Sequence, residues 1–133
     1  DLYRNVYFGH LKLLGEEDED TLLVAFNYAS SLGKIKRFGE AKSLLRKTVP
    51  MVRRVLGERD ETTLRFRGCY AEALKNDPGA TLNDLHEAMT TLEDTERIAR
   101  RVFGGAHPLT EAIKGHLEWS RAALAAREGT KIK

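Results

Sequence analysis

The chain has 133 residues, of which 41% are hydrophobic and 32% charged, and its formal net charge at pH 7 is +2. This length fits one domain, and the balance of apolar and charged residues argues against an intrinsically disordered chain. The small net charge supplies no strong field for nucleic acid or a membrane surface, and no apolar run approaches the roughly 20 residues that a membrane span needs.

The compartment is indicated by one cysteine and by the first residues of the chain. The single Cys69 excludes an intramolecular disulfide and is typical of a reducing environment. The opening segment, DLYRNVYFGH, begins with an acid and has no uninterrupted apolar core, so no secretory signal is visible. We therefore expect an intracellular, cytoplasmic protein.

Apolar residues recur at helical spacing along the chain, and no segment shows the sustained alternation of a strand. The predicted helices cover about residues 2–14, 19–33, 37–56, 61–76, 81–103 and 108–127. Asp77-Pro78-Gly79 marks a turn before the fifth helix, and Thr81 with Asp84 resembles a capping box at its start. The sequence therefore predicts an all-α fold.

Three segments punctuate these helices in the same way: LGEEDEDT at 14–21, LGERDETT at 56–63 and FGGAHPLT at 103–110. In each, a glycine follows a large apolar residue, and a threonine stands six residues after the glycine. The glycine is predicted to end a helix in the left-handed conformation, and the residue three positions later to cap the next helix. The caps are Asp18, Asp60 and His107. The spacing of the segments is typical of an array of helical repeats.

The helices between these segments also align. Tyr28-Ala29 corresponds to Tyr70-Ala71, Leu32 to Leu74, Ala41 to Ala88 and Leu45 to Leu92, and the second unit carries five extra residues. This pattern resembles the tetratricopeptide repeat. The period of about 42 residues and the punctuation resemble the kinesin-light-chain type of that repeat, although only the third segment keeps the His-Pro pair and Lys36 replaces a frequent glycine.

The resemblance implies a right-handed superhelical solenoid of antiparallel helix pairs, each pair an A helix followed by a B helix. Residues 1–133 would form one helical-repeat domain. Its parts are a partial repeat at 1–15 with only a B helix, repeats at 16–57 and 58–104, and a partial repeat at 105–133 with a capping helix and tail.

The two ends of the array are predicted to differ. Leu2, Tyr3 and Val6 align with residues of the next B helix, so the first helix lacks an A partner and presents an apolar N-terminal interface. The last helix has Glu118 and Arg121 where earlier A helices have Ala and Leu, which is typical of a polar outer cap.

In the family, the A helices line a concave groove that binds peptides. The resemblance places eight residues in this groove: Asn27, Ser30, Lys34, Arg65, Glu72, Lys75, Asn76 and Trp119. Asparagine suits an extended peptide because one side chain both donates and accepts hydrogen bonds. Three cations against one acid favour a ligand that is acidic or ends in a carboxylate.

No catalytic residue, metal site or cofactor is predicted. HEAMT at 86–90 lacks the second histidine of a zinc motif, and the four histidines show no ligand spacing. Cys69 is interpreted as a packed thiol, since a nucleophile needs an oriented base nearby. The basic run at 34–54 lacks interleaved stacking aromatics, which disfavours nucleic acid.

Two classes of function remain, and neither is enzymatic. The first is a protein–protein interaction module, an adaptor or scaffold fragment that binds an acidic peptide segment in the groove. The alternative is a structural subunit, buried in a larger assembly through its N-terminal interface or its basic convex helix.

Overall fold

The structure is a computed structural model that describes the backbone of residues 1–132 and the side chains of residues 1–129. Within this part of the chain there are six α-helices and no β-strand, so the all-α prediction is confirmed. The helices are α1 (Leu2–Leu14), α2 (Glu19–Lys34), α3 (Phe38–Leu56), α4 (Glu61–Asn76), α5 (Leu82–Phe103) and α6 (Pro108–Ile132). The predicted bounds agree to within one residue, except that α6 continues beyond residue 127.

The glycines that end α1, α3 and α5 have positive φ, as predicted: 88° at Gly15, 94° at Gly57 and 91° at Gly104. Their ψ values of 164°, 160° and 159° are not those of the left-handed helical conformation, so that part of the prediction is wrong. The region they occupy is essentially restricted to glycine. The three glycines therefore share one backbone conformation.

The predicted caps after these glycines are confirmed. The Asp18 carboxylate accepts from the Asp20 backbone N–H at 2.9 Å, and Asp60 accepts from Thr62 in the same way at 2.8 Å. His107 accepts through Nδ1 from the Leu109 backbone N–H at 3.1 Å. His107 therefore acts as a helix cap.

The α2–α3 turn is closed by a residue other than glycine. Lys36 has a φ of 64°, and its N–H donates to the Gly33 carbonyl at 3.1 Å. The next N–H, that of Arg37, donates to the Leu32 carbonyl at 2.9 Å. These two bonds form a Schellman motif, with Lys36 at the position that glycine usually occupies.

The core lies between consecutive helices, each of which packs against its neighbours in the chain. The alanines predicted to allow close helix approach are almost fully buried, as are the large residues predicted to fill the core. They are Ala29, Ala41, Ala71, Ala88, Tyr28, Leu32, Leu45, Tyr70, Leu74, Leu85 and Leu92. Burying one such large side chain contributes roughly 1.5–3 kcal/mol, so these contacts supply most of the stability.

Contacts beyond chain neighbours follow one side of the molecule. Helix α2 contacts α4, and α4 contacts α6. In the described residues, no Cα atom of α3 comes within 8 Å of one in α1 or α5. Helices α2, α4 and α6 thus form a continuous face, which we call the α2–α4–α6 face. No helix in the described part of the chain has both the length and the apolar character to cross a membrane.

Candidate functional site

The α2–α4–α6 face holds a cavity of about 240 Å³ between α2 and α4. Its polar lining comes from Ser30 and Lys34 on α2 and from Cys69, Glu72 and Asn76 on α4. The alternation of small and polar residues along both helices produces this lining, since the small residues allow the helices to approach while the polar ones face outward. Four of the eight predicted groove residues therefore meet at one cavity.

A second cavity of about 240 Å³ adjoins the first, because Ser30 and Lys34 line both. Its other lining residues are Tyr3 of α1 and Asn27 and Ser31 of α2. The two cavities form one depression along α2, which we call the α2 groove. It brings the predicted Asn27 next to the predicted N-terminal interface.

Three polar side chains of the α2 groove are available to a ligand. Asn27, Lys34 and Asn76 are exposed, and none of them has a side-chain partner among the described residues. A lysine can donate three hydrogen bonds, and each asparagine can both donate and accept. Together they can hold a carboxylate and the unpaired backbone groups of an extended peptide.

A different arrangement holds the predicted residues at the other end of the face. Lys75 Nζ lies 3.0 Å from His116 Nδ1, and His116 Nε2 lies 2.5 Å from Glu72 Oε1. Because lysine only donates, Nδ1 must accept and Nε2–H must donate to the carboxylate. The Lys75 ammonium also lies 4.6 Å from the centre of the Trp119 ring, a cation–π contact. These four residues, the α4–α6 link, join α4 to α6.

Electrostatics within the α4–α6 link follow from burial and pairing. The hydrogen bond from His116 lowers the pKa of Glu72, against the effect of partial burial. Burial lowers the pKa of the Lys75 ammonium, and the nearby Glu72 carboxylate opposes that change. Lys75 is only 9% exposed, so its charge is directed into the link. It contributes little to the attraction of an external anion.

Arg65 does not line either cavity of the α2 groove. Its guanidinium donates twice to the Glu61 carboxylate one turn earlier on α4, at 3.0 and 3.1 Å. The i,i+4 spacing of Glu61 and Arg65 is the sequence signal for this pair. Of the three cations predicted for the groove, Lys34 is therefore the one that is exposed and has no partner among the described side chains.

Some groove features were not among the predicted site residues. Phe38 and Ala41 of α3 also line the cavity between α2 and α4, because the start of α3 lies against its wall. Cys69 lines it as well, but burial raises the pKa of its thiol to about 11. A thiol of that pKa stays protonated at neutral pH and is a poor nucleophile. In the described part of the chain, no cluster of His, Cys, Asp and Glu could hold a metal ion.

The predicted N-terminal interface is exposed in the structure. The accessible fractions of Leu2, Tyr3 and Val6 are 74%, 49% and 36%. The opposite side of α1 is held by Tyr7, which is buried with its ring centre 5.8 Å from that of Tyr28. Helix α1 thus buries one side against α2, and no described helix covers its other side.

No protein-family profile matches the chain, and no curated protein matches it significantly.

Proposed function

We propose that the chain is a protein-interaction module of the tetratricopeptide type, similar to the kinesin-light-chain repeats. Antiparallel helix pairs would stack in a right-handed superhelical solenoid, with the α2–α4–α6 face on its concave side. The serial contacts along this face, and the separation of α3 from α1 and α5, support such a curvature. The module would serve as an intracellular, cytoplasmic adaptor or scaffold and would carry out no catalysis.

The observation that carries this proposal is the α2 groove. It unites Asn27, Lys34 and Asn76, whose polar groups have no partner within the described residues. An extended peptide supplies the matching groups, because its backbone offers donors and acceptors and its carboxylates offer charge. The ligand of the groove is therefore a peptide segment with an acidic residue or a C-terminal carboxylate opposite Lys34.

The test is the binding of a fluorescein-labelled acidic hexapeptide with a free C-terminal carboxylate, followed by fluorescence polarisation. An exposed charge contact contributes about 0.2–1 kcal/mol, so Lys34→Gln should weaken binding about 1.4- to 5-fold. Lys34→Glu should weaken it further, and the effect should shrink as salt screens the charges.

Arg65→Gln is the matched control, since it removes a positive charge that Glu61 already neutralises. It should change the affinity much less than Lys34→Gln. Equal losses in both variants, or no loss in Lys34→Glu, would show that the peptide does not bind in the α2 groove.

The N-terminal interface favours a second candidate function, that of a structural subunit in a larger assembly. Leu2 and Tyr3 expose apolar surface that a partner helix would cover. In such an assembly, the basic helix α3 would contact another subunit on the convex side of the solenoid. Native gel-filtration of cell extract distinguishes the two, because a subunit elutes in a complex that withstands salt concentrations at which acidic peptides dissociate.

A further inference from the structure

A further cavity lies away from the α2–α4–α6 face, between the α3–α4 turn and the end of α5, and charged side chains line it. Its volume is about 290 Å³, and it is lined by Glu58, Arg59, Arg97, Ile98, Arg101 and Val102. Arg59 and Arg101 are exposed, and neither guanidinium has a partner among the described residues. We call this feature the arginine cavity.

The carboxylates around the arginine cavity are already engaged. Glu58 accepts from Arg53, with one contact of 3.0 Å. Asp94, one turn before Ile98, accepts from Arg67 at 2.7 Å and from Arg97 at 3.1 Å. Three arginines thus engage these two carboxylates, which leaves the charges of Arg59 and Arg101 without compensation among the described side chains.

The first repeat shows how the same place is neutralised. Gly15 and Gly57 end their helices with φ values of 88° and 94°, and the capping residues three positions later share φ near −66° and −69°. The two turns thus have the same course, and Glu17 corresponds to Arg59. In the first repeat, Glu17 forms an ion pair with Arg54 of α3.

The corresponding pair of residues in the second repeat contains no acid. Arg101 of α5 stands where Arg54 stands in α3, because both are three residues before the glycine that ends the helix. Arg59 stands where the first repeat has Glu17, because each is two residues after the glycine that ends a helix. Two guanidiniums consequently face the same cavity where the first repeat joins a guanidinium to a carboxylate.

We infer that the arginine cavity is a second peptide-binding site, which takes an acidic side chain of a partner protein in place of the missing glutamate. Guanidinium forks bind carboxylates with two parallel hydrogen bonds, which makes arginine well suited to this role. Ile98 and Val102 provide apolar surface beside the charges, and Val102 is 39% exposed. The segment bound is therefore a glutamate or aspartate next to a large aliphatic residue.

The probe is a fluorescein-labelled hexapeptide with two central glutamates flanked by leucines, capped at both ends and titrated with the whole chain. The capped ends remove the terminal carboxylate proposed for the α2 groove, and the titrations use a chain with Lys34→Glu so that the glutamates of the probe find no cation in that groove. A second probe has glutamine in place of both glutamates. We expect the glutamine probe to bind at least about fivefold more weakly, because the cavity supplies unpaired guanidiniums.

The decisive variant is Arg59→Glu, which recreates the residue pair of the first repeat. It should weaken binding of the glutamate probe at least about fivefold. Its unfolding temperature should not fall, because the new carboxylate pairs with Arg101 as Glu17 pairs with Arg54. Arg101→Gln should weaken binding as well, through loss of one guanidinium.

Two controls separate this site from non-specific attraction and from the α2 groove. Lys34→Glu, present in every titration, removes the proposed cation of the α2 groove. In that background, Lys12→Glu makes the same change in net charge as Arg59→Glu, at an exposed residue of α1 that has no partner among the described side chains. Lys12→Glu should leave the affinity for the capped probe within about twofold. If Arg59→Glu binds the glutamate probe as well as the parent, or if Lys12→Glu weakens it equally, the inference is wrong.

Discussion

At the scale of single residues, His116 makes the most consequential contacts on the α2–α4–α6 face. Its two ring nitrogens face groups of opposite charge, the Lys75 ammonium and the Glu72 carboxylate. Both partners come from α4, whereas His116 belongs to α6. Helix α6 is therefore joined to α4 by direct polar contacts, in addition to its packing against α5. The neutral imidazole ring can accept from Lys75 through one nitrogen and donate to Glu72 through the other.

Replacing His116 by phenylalanine should keep the ring volume and remove both polar contacts. We expect the pKa of Glu72 to rise towards its ordinary value, because the hydrogen bond from His116 is what lowers it most. The free energy of unfolding at pH 7 should fall by about 1 kcal/mol, as for the loss of a typical hydrogen bond. The pKa is measured by NMR titration of the Glu72 side-chain carboxyl carbon, and the stability by chemical denaturation.

The direction of the pH dependence follows from the lowered pKa of Glu72. A carboxyl whose folded pKa lies below its unfolded value, about 4.3 for glutamate, stabilises the fold above that pH. This contribution disappears as the pH falls through the folded pKa. The difference between the parent and His116→Phe should therefore shrink on acidification. His86→Phe is the control, and a shift of the Glu72 pKa in that variant would contradict the assignment.

At the scale of elements, helix pairs depend on alanine at their closest approach. Ala71 on α4 and Ala88 on α5 are fully buried, and neighbouring leucines fill the space around them. Helices α2, α4, α5 and α6 begin at Asp, Thr or His caps, and α1, α3 and α5 end at glycine. Local sequence thus sets the helix ends, and small residues set how closely the helices pack.

Replacing Ala71 by leucine should destabilise the protein by about 1–3 kcal/mol, because the added atoms have no space between the helices. Ala112→Leu makes the same change at an exposed position of α6 and should be nearly neutral. Thermal or denaturant unfolding of both variants provides the measurement. Equal stability in the two would mean that Ala71 does not lie at a close helix contact.

At the scale of the whole molecule, the two ends carry different surfaces. Helix α1 exposes large apolar residues, among them Leu2 and Leu13 at 74% and 82%. Helix α6 instead exposes Glu118 and Arg121, as predicted for an outer cap. Because only the α1 end of the molecule is apolar, we expect the chain to associate through α1. Two chains that meet through this same surface form a closed dimer.

The variant Leu2→Glu, Tyr3→Glu, Val6→Glu should abolish self-association of the chain, because charges replace the apolar surface at the N-terminal interface. Sedimentation velocity at increasing protein concentration should show a larger species for the parent and a monomer for the variant. Ile35→Glu, a comparable change at an exposed residue of the α2–α3 turn, should behave like the parent. A monomeric parent at high concentration would contradict the prediction.

Much of the fold could be predicted from the sequence because its signals are local. The helix ends follow from glycine at 15, 57 and 104 and from the caps three residues later, and the core follows from the aligned alanines and leucines. The extension of α6 beyond residue 127 was missed, since Gly129 resembles a helix stop although the helix continues through it. The ψ of the three glycines was also missed, because glycine permits more than one conformation at positive φ.

The sequence by itself determined the helices and the recurring turns between them, because periodicity and turn chemistry act over short distances. The tertiary structure alone decided which charges of the α2–α4–α6 face remain available. Lys75 is joined to His116, 41 residues later in the chain, and Lys34 is not joined to any described side chain. Such pairing depends on how helices distant in sequence meet, and the sequence alone does not show which side chains those helices bring together.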